Sequence, residues 1–263
     1  MDGNRDIFTV RDLSLAFGGL TALDDVSLST QQGGITAIIG PNGAGKTSLL
    51  NVVSGFYKPA SGTVQFNGTD LLALPTHARC KIGIARTFQN IALFRGMTVM
   101  ENIKLGAHAQ LRAGIFSSAF YLGPAKREEE ALSRRIDEDI IGKLGLVAYR
   151  DREIAGLPLG IQRRVELGRA LASSPKLLML DEPFAGMNPS EKKVMSEDIR
   201  EAVSEHAITV LIIDHDMRTL MALTNKVVVL NFGRVIATGS PSEVQSDPDV
   251  IEAYIGTAAH AVH

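Results

Sequence analysis

An apolar run that leads into a glycine-rich turn is the feature that most restricts the fold of this 263-residue chain. The run ITAIIG, at residues 35–40, lacks polar alternation, so we predict a strand that is buried on both faces. The chain continues as GPNGAGKT at residues 40–47, which matches G-x-x-x-x-G-K-[ST]. The next residues, KTSLLNVVSG, predict a helix that ends at Gly55. A buried strand, a tight loop and a helix in this order are typical of α/β folds with a parallel sheet.

The glycine-rich loop has the composition that phosphate binding requires. Glycines let the backbone wrap a phosphate, so that successive N–H groups and the positive end of the helix point at the anion. Lys46 is expected to neutralise the outer phosphates, and the hydroxyl of Thr47 is expected to bind Mg²⁺. A chance glycine-rich turn is disfavoured, because a strand and a helix flank the loop in register. The predicted phosphate-binding residues are Gly40, Pro41, Asn42, Gly43, Ala44, Gly45, Lys46, Thr47 and Ser48.

Two acidic residues follow a second apolar strand, which is predicted at residues 177–180. Asp181 and Glu182 therefore lie at the carboxyl edge of the sheet, where α/β proteins bind their ligands. We predict that Asp181 is a Mg²⁺ ligand and that Glu182 polarises the water that attacks the γ-phosphate. A strand that ends in Asp-Glu is by itself more often a solvated strand end. The glycine-rich loop in the same chain favours the catalytic interpretation.

Two single polar residues follow other predicted strands. Gln89 comes after IARTF and is a candidate contact for Mg²⁺ or for water, although an isolated glutamine is usually a surface amide. His215 follows ITVLIID, residues 208–214, so its imidazole is a candidate hydrogen-bond donor to the γ-phosphate. Both residues would join Asp181 and Glu182 at the same edge of the sheet.

The remaining segments predict a core with two satellites. Residues 7–30 alternate in polarity like two antiparallel strands, and GTVQFNG at 62–68 predicts a third. Residues 95–165 read as helical: Thr98 and Glu101 form a capping box before VMENIKLGAHAQL, and a second helix begins at Pro124. Strands are predicted at 227–231 and 234–239, followed by helices from Ser240 and from Pro248 to about Ile255. We predict an α/β fold whose largely parallel sheet has helices on both faces.

Composition excludes several classes of protein. A net charge of −2 gives no basic field for nucleic acid. The single cysteine, Cys80, rules out an internal disulfide and is interpreted as a small, partly buried apolar residue. The longest apolar run, at residues 207–213, is far shorter than the roughly 20 residues of a membrane helix. We therefore expect a chain that does not itself cross a membrane.

The ordered series of the glycine-rich loop, Gln89, LPLGIQRR, LLMLDEP and Asp214-His215 resembles the nucleotide-binding subunits of ABC transporters. The resemblance implies one ABC ATPase domain over residues 1–263 that binds ATP and Mg²⁺. It implies a RecA-like P-loop NTPase core with an antiparallel β subdomain (7–94 and 166–256), an inserted α-helical subdomain (95–165) and a tail (257–263). Phe17 matches the aromatic residue that stacks on adenine, Gln89 the Q-loop, residues 185–188 the D-loop and His215 the switch histidine.

The resemblance also implies that two ATPase subunits pair head to tail around two ATP molecules. In this family a signature, commonly LSGGQ, presents a helix N-terminus to the γ-phosphate bound by the other subunit. Residues 157–161 read LPLGI, so only Leu157 and Gly160 match. Pro158 replaces a serine that would donate its hydroxyl and its backbone N–H. The N–H groups around Leu159 and Gly160 remain, which implies a weakened anion site.

Details of the motifs resemble the branched-chain amino acid uptake branch of this family. These details are LPxG before Gln-Arg-Arg, the phrase RTFQNIALFRGMTVMENI, DEPFAGMNP and the ending DPDVIEAYIG. The resemblance implies a peripheral ATPase on the cytoplasmic face of the inner or plasma membrane. Its implied partners are two transmembrane permease subunits, a second ABC ATPase subunit, identical or different, and, indirectly, a periplasmic or extracellular solute-binding protein.

Some alternatives remain open. The apolar residues after Gln89, which are Ile91, Leu93, Phe94 and Met97, either dock the permease or pack the helical lobe. A soluble ABC-type ATPase that acts on nucleic acid or ribosomes is disfavoured by the charge balance and by the lack of zinc cysteines. A nucleotide switch without turnover is disfavoured because Glu182 is present.

Overall fold

A six-stranded sheet forms the centre of the computed structural model, which describes residues 6–107 and 124–260. The strands in spatial order are β10-β9-β3-β8-β7-β6. Their bounds are β3 Ile35–Ile39, β6 Ile84–Arg86, β7 Leu177–Asp181, β8 Thr209–Ile213, β9 Lys226–Asn231 and β10 Arg234–Gly239. All neighbouring strands from β9 to β6 pair in parallel, and the edge strand β10 runs antiparallel to β9. The predicted, largely parallel α/β sheet is confirmed.

Helices connect these strands and cover the sheet. In chain order they are α1 Lys46–Ser54, α2 Thr76–Lys81, α3 Val99–Ala107, α4 Pro124–Ile136, α5 Leu159–Ala172, α6 Pro189–His206, α7 Met217–Leu223, α8 Pro241–Gln245 and α9 Pro248–His260. A π-helical turn, Asp137–Ile141, extends α4, and a 3₁₀ turn covers Val147–Tyr149. None of the helices in the described ranges is long and apolar enough to span a bilayer.

The core consists of two hydrophobic clusters, one on each face of the central sheet. Alternate residues of β3 show the division, because Ala37 belongs to one cluster and Ile38 to the other. The Ala37 face packs against α3 and α5–α9, whereas the Ile38 face packs against α1. Strands β3, β7 and β8 are buried at every position, which explains their uninterrupted apolar sequences.

A second, four-stranded sheet covers the α1 side of the molecule. Its strands are β1 Asp6–Phe17, β2 Leu20–Gln31, β4 Ser61–Phe66 and β5 Thr69–Asp70, in the order β2-β1-β4-β5. All of its pairings are antiparallel, as the alternating polarity predicts. Phe8 and Phe66 lie opposite each other and are almost fully buried against the α1 cluster. The expected antiparallel β subdomain is present.

Helices α3, α4 and α5 form the helical part. The capping box at its start is confirmed, because Glu101 accepts from the Thr98 N–H at 2.8 Å and donates its own N–H to the Thr98 hydroxyl. The later residues of the predicted VMENIKLGAHAQL helix lie outside the described residues. Helix α5 begins at Leu159 and continues past residue 165, so the proposed boundary between helical and core subdomains falls inside a helix.

Two expectations were wrong. Cys80 is exposed, because the neighbouring Arg79 takes the inward position on α2 and donates to the carbonyls of Val52 at 2.7 Å and Val53 at 2.6 Å. Helix α9 continues beyond Ile255 to His260, so most of the predicted tail is helical. The alanines in Thr-Ala-Ala-His favour that extension.

Candidate functional site

The loop between β3 and α1 requires glycine at its two ends. Gly40 has φ of 148°, and a Cβ there would lie 2.0 Å from the Leu230 carbonyl oxygen. Gly45 has φ of 100°, and a Cβ there would lie 2.5 Å from the Ala22 carbonyl oxygen. A Cβ at Gly43 meets nothing within 4 Å, so the middle of the loop opens outward. The backbone therefore follows the path that a phosphate-binding loop needs.

Lys46 lies folded into this loop. Its ammonium donates to the carbonyl oxygens of Gly40 at 2.6 Å and Pro41 at 2.8 Å. Burial lowers the pKa of Lys46 from its usual value, although attraction from Glu182 and Asp181 opposes that change. Thr47 and Ser48 follow in the first turn of α1, where the Thr47 side chain is exposed and no side chain caps the helix. The positive end of α1 thus faces the loop together with one ammonium group.

Asp181 ends β7 and is buried, and it forms an ion pair that the sequence analysis missed. The Arg86 guanidinium donates to Asp181 Oδ2 at 2.8 Å. The same guanidinium donates to Asn51 at 2.8 Å and Ser54 at 2.9 Å, both on α1. The segment IARTF immediately precedes Gln89, and Arg86 is its charged residue. A charge within an apolar strand was the signal in the sequence for such a pair. The predicted metal ligand is therefore held by β6 and connected to the helix that follows the phosphate loop.

Glu182 has a left-handed backbone, with φ of 52°, which is uncommon for a residue other than glycine. Its N–H donates to the Ile213 carbonyl at 2.8 Å, so the turn is fixed against β8. Its carboxylate accepts a hydrogen bond from the Gln89 amide at 3.1 Å. The structure thus brings together the two residues that were predicted to act on water.

His215 follows β8 and projects from the sheet, with its side chain 71% exposed. The preceding Asp214 is buried and accepts from the N–H groups of His215 at 2.8 Å, Asp216 at 2.9 Å and Phe184 at 3.0 Å. These bonds fix the turn after β8 and tie it to the segment that follows Glu182. Strands β3, β7 and β8 are parallel, so their carboxyl ends place the phosphate loop, Glu182 and His215 at one edge.

Phe17, the predicted adenine-stacking residue, ends β1 and is 44% exposed. Its ring contacts that of Tyr57 in a T-shaped arrangement with centroids 5.0 Å apart. Tyr57 follows α1 and is not among the site residues predicted from the sequence. The contact fixes one edge of Phe17 and leaves part of the ring accessible.

The start of α5 is uncapped by any side chain, because its N-cap residue is Pro158. A Cβ at Gly160 would lie 2.5 Å from Glu191 Oε1, so that side chain would have to move to admit one. The other oxygen of Glu191 accepts from the Asn188 N–H at 2.9 Å. Likewise, a Cβ at Gly186 would lie 2.5 Å from Leu159 Cδ2. Leu159 and Gly160 therefore contact the segment from 186 to 191, which is the predicted D-loop and the first turn of α6.

No group of three or more His, Cys, Asp or Glu side chains in the described part of the chain could hold a metal ion. The oxygen donors predicted for Mg²⁺ instead come from Thr47, Asp181 and Gln89, which lie on three separate segments. A metal here would therefore depend on phosphate oxygens for the rest of its shell.

Comparison with known proteins identifies the family. A family model described as ABC transporter matches residues 23–185, which is more than half of the chain. The chain belongs to the ABC transporter family, as an ATP-binding protein. A second model, described as branched-chain amino acid ATP-binding cassette transporter, matches residues 234–260 of this ABC protein.

Full-length relatives and solved structures agree with that assignment. The ABC protein is 41% identical to the high-affinity branched-chain amino acid transport ATP-binding protein LivG of Salmonella typhimurium, over 97% of this chain and 100% of the relative. It is 38% identical to BraF of Pseudomonas aeruginosa, with the same coverage. The ADP conformation of an ATP-binding cassette from an ABC transporter aligns with a TM-score of 0.83 at 35% identity, covering 96% of this chain and 99% of that one. The expected ABC ATPase fold is confirmed, and the chain is a nucleotide-binding ABC ATPase.

Proposed function

We propose that this ABC ATPase hydrolyses ATP to drive an importer of branched-chain or related amino acids. The observation that carries the proposal is the contact of Gln89 with Glu182 at the same sheet edge as the phosphate loop. The match of residues 234–260 to the branched-chain amino acid model, and the names of LivG and BraF, support the substrate class. The loop residues Gly40 to Ser48 bind the triphosphate, and Phe17 stacks on adenine.

The donor set at this edge fits Mg²⁺, because Thr47, Asp181 and Gln89 supply oxygen ligands, which Mg²⁺ prefers. When bound, Mg²⁺ would neutralise negative charge on the triphosphate. Lys46 and the backbone N–H groups of the loop bind those phosphates, and His215 donates a hydrogen bond to the γ-phosphate. Glu182 accepts a proton as water attacks the γ-phosphorus, and the bond to the β–γ bridging oxygen breaks. Gln89 orients both the water and Glu182.

The proposed assembly contains a second ABC ATPase subunit, two permease subunits and, indirectly, an external solute-binding protein. Phe94 is 56% exposed, whereas Leu93 packs against the core cluster. The apolar segment after Gln89 thus combines packing with an exposed aromatic ring, which is available to a permease. This arrangement supports a peripheral position on the cytoplasmic face of the membrane. Leu159 and Gly160 would face the ATP of the second subunit.

Glu182→Gln tests the catalytic assignment. The variant keeps the shape and the hydrogen bond to Gln89 but cannot take a proton, so we expect ATP binding with turnover reduced at least about 100-fold. Nucleotide titration and phosphate release measure the two quantities, and Lys46→Ala serves as the variant that loses binding instead. Undiminished hydrolysis by Glu182→Gln would remove Glu182 from its proposed role.

Reconstitution tests the transport assignment. The chain is co-expressed with candidate permease subunits and a second ATPase, and ATP-dependent uptake of leucine into proteoliposomes is measured with and without the solute-binding protein. We expect uptake and stimulation of ATP hydrolysis only in the complete assembly. Stimulation by DNA or ribosomes in place of the permease would favour the soluble alternative.

A further inference from the structure

The loop that carries Gln89 leaves the central sheet at Thr87. The Thr87 N–H donates to the Met179 carbonyl at 2.9 Å, which continues the β6–β7 pairing by one residue. At Phe88 and Gln89 the partners change, because side chains of α5 contact their backbone groups. Gln89 therefore lies where the chain passes from attachment to the core to attachment to the helical part.

Two residues of α5, Arg163 and Glu166, make this attachment. The Arg163 guanidinium donates to the carbonyl oxygens of Gln89 at 2.9 Å and Phe88 at 3.4 Å. Glu166 Oε1 accepts from the Phe88 N–H at 3.5 Å, and Glu166 Oε2 pairs with Arg163 at 3.1 Å. The pair therefore contacts three polar groups on the backbone of two consecutive loop residues.

Both side chains are almost completely buried, with 7% of Arg163 and 2% of Glu166 exposed. Burial raises the pKa of Glu166, with the nearby Arg163 as an opposing influence. A buried ion pair is a poor source of stability, because desolvation offsets much of the attraction. Its specific effect here is geometric, since a rigid guanidinium fork holds the loop in one conformation.

The contacts continue to the catalytic carboxylate. Gln89 is held through its carbonyl by Arg163, and its side-chain amide donates to Glu182 at 3.1 Å. Arg163 and Glu166 lie one to two turns after Gly160, the residue proposed to face the partner's ATP. Helix α5 thus connects Gly160, which is proposed to face the partner's ATP, with the loop that contacts Glu182.

We propose that Arg163 and Glu166 are positioning residues for hydrolysis, which fix the Phe88–Gln89 backbone so that Gln89 holds Glu182. A displacement of α5, such as one caused by ATP of the other subunit, then changes the geometry at Glu182. The proposal rests on the proposed function, because it concerns the same hydrolytic site.

Arg163→Lys is the decisive variant. Lysine keeps the charge that Glu166 needs but lacks the fork that reaches two carbonyl groups. We expect kcat of the full-length chain to fall about tenfold while the Kd for ATP changes less than about twofold, because the phosphate loop is untouched. In a Gln89→Ala background the same substitution should lower kcat by less than about twofold further, since both changes act through one contact.

Arg164→Lys is the matched control, because Arg164 lies on the same helix, pairs with Asp198 at 2.8 Å and, within residues 6–107 and 124–260, makes no hydrogen bond to the loop. It should lower the melting temperature by a similar amount and leave kcat unchanged. Glu166→Gln keeps an acceptor for the Phe88 N–H but replaces the oxygen that accepts from Arg163 with an NH₂ group, so it should lower kcat by a similar factor to Arg163→Lys. Full additivity with Gln89→Ala, or equal effects of Arg163→Lys and Arg164→Lys on kcat, would overturn the proposal. A wild-type chain that does not hydrolyse ATP even in the complete assembly with the second ATPase and the permease subunits would instead refute the proposed function.

Discussion

Arg86 shows how one side chain links several parts of the site. It is 7% exposed and contacts Asp181, Asn51 and Ser54, which belong to β7 and α1. Its guanidinium also lies 5.3 Å from the centroid of the Phe88 ring. Asp181 Oδ2 accepts from the Arg86 guanidinium at 2.8 Å, which fixes the carboxylate beside the end of α1. Arg86 therefore sets the orientation of the carboxylate on which the proposed chemistry depends.

Arg86→Ala should strongly destabilise the fold. Removal of one member of a buried ion pair leaves an uncompensated charge, which costs about 3–5 kcal/mol. The free energy of unfolding, measured in urea, should therefore drop by an amount in this range. Arg86→Lys, which retains the charge, is the control and should lose less. A drop below about 1 kcal/mol in Arg86→Ala would show that Asp181 gains another partner or a proton.

Phe17→Ala tests recognition of the base apart from recognition of phosphate. Loss of the exposed ring removes the stacking surface for adenine, and we expect ATP to bind about tenfold more weakly. Tyr57→Phe keeps the ring contact at 5.0 Å and serves as the matched control with unchanged affinity. Calorimetric titration with ATP and with inorganic tripolyphosphate separates the two contributions. Equal losses for both ligands would contradict a role in base stacking.

Much of the site could be predicted from the sequence, because its residues lie at or just after strand ends that apolar runs mark clearly. Gly40, Asp181 and His215 belong to this group. Arg86 could not be assigned a partner, because its pairing with Asp181 depends on β6 lying beside β7, and strand order is not encoded in local pattern. The same limit hid Arg163, whose loop partners lie 74 and 75 positions earlier.

At the scale of elements, the segment from 94 to 98 is held by one side chain of α3 and by backbone hydrogen bonds from Ile154 and Ala155. Asn102 is fully buried, accepts from the Phe94 N–H at 2.9 Å and donates to the carbonyls of Phe94 and Thr98 at 3.0 Å each. An amide can satisfy such groups because it offers both donors and an acceptor. The later part of the loop between β6 and α3 is therefore held by α3 and by the segment before α5.

Pro158→Ser should strengthen the N-terminus of α5. Proline leaves this helix without a side-chain cap, and a serine cap is worth about 0.5–2 kcal/mol, partly offset by the lost rigidity of proline. Serine also adds an N–H and a hydroxyl toward an anion. In the Glu182→Gln background, we expect ATP-dependent dimers at lower ATP concentrations on size-exclusion chromatography. An unchanged ATP dependence would argue against the weakened anion site, and Pro158→Ala is the control that adds the N–H alone.

At the scale of the whole molecule, α5 joins the helical part to the core. Its second half belongs to the cluster on the Ala37 face of the central sheet, with Val165 and Leu167 both buried. Arg164 connects it to Asp198 on α6 through two hydrogen bonds at 2.8 and 3.3 Å. The sequence predicted the two parts but divided them at residue 165, because helical periodicity does not reveal which neighbours a helix packs against. Because α5 belongs to both parts, a shift of the helical part would strain the hydrogen bonds between Arg164 and Asp198.

This connection predicts a characteristic dependence of stability on pH. Burial raises the pKa of Asp198, and its hydrogen bond and attraction to Arg164 only partly oppose that effect. A raised native pKa contributes stability that is fully present below the unfolded pKa of about 4, and that is lost as the pH rises through the native pKa.

Asp198→Asn lacks this contribution, so its free energy of unfolding should increase relative to that of wild type as the pH rises from 4, and then level off. Urea unfolding of both chains between pH 4 and 8 measures the difference, with Glu252→Gln on the exposed surface of α9 as the control. If the free energy of unfolding of Asp198→Asn instead falls relative to wild type as the pH rises, attraction to Arg164 outweighs the effect of burial on Asp198. Helices α5 and α6 would then be joined by a favourable ion pair.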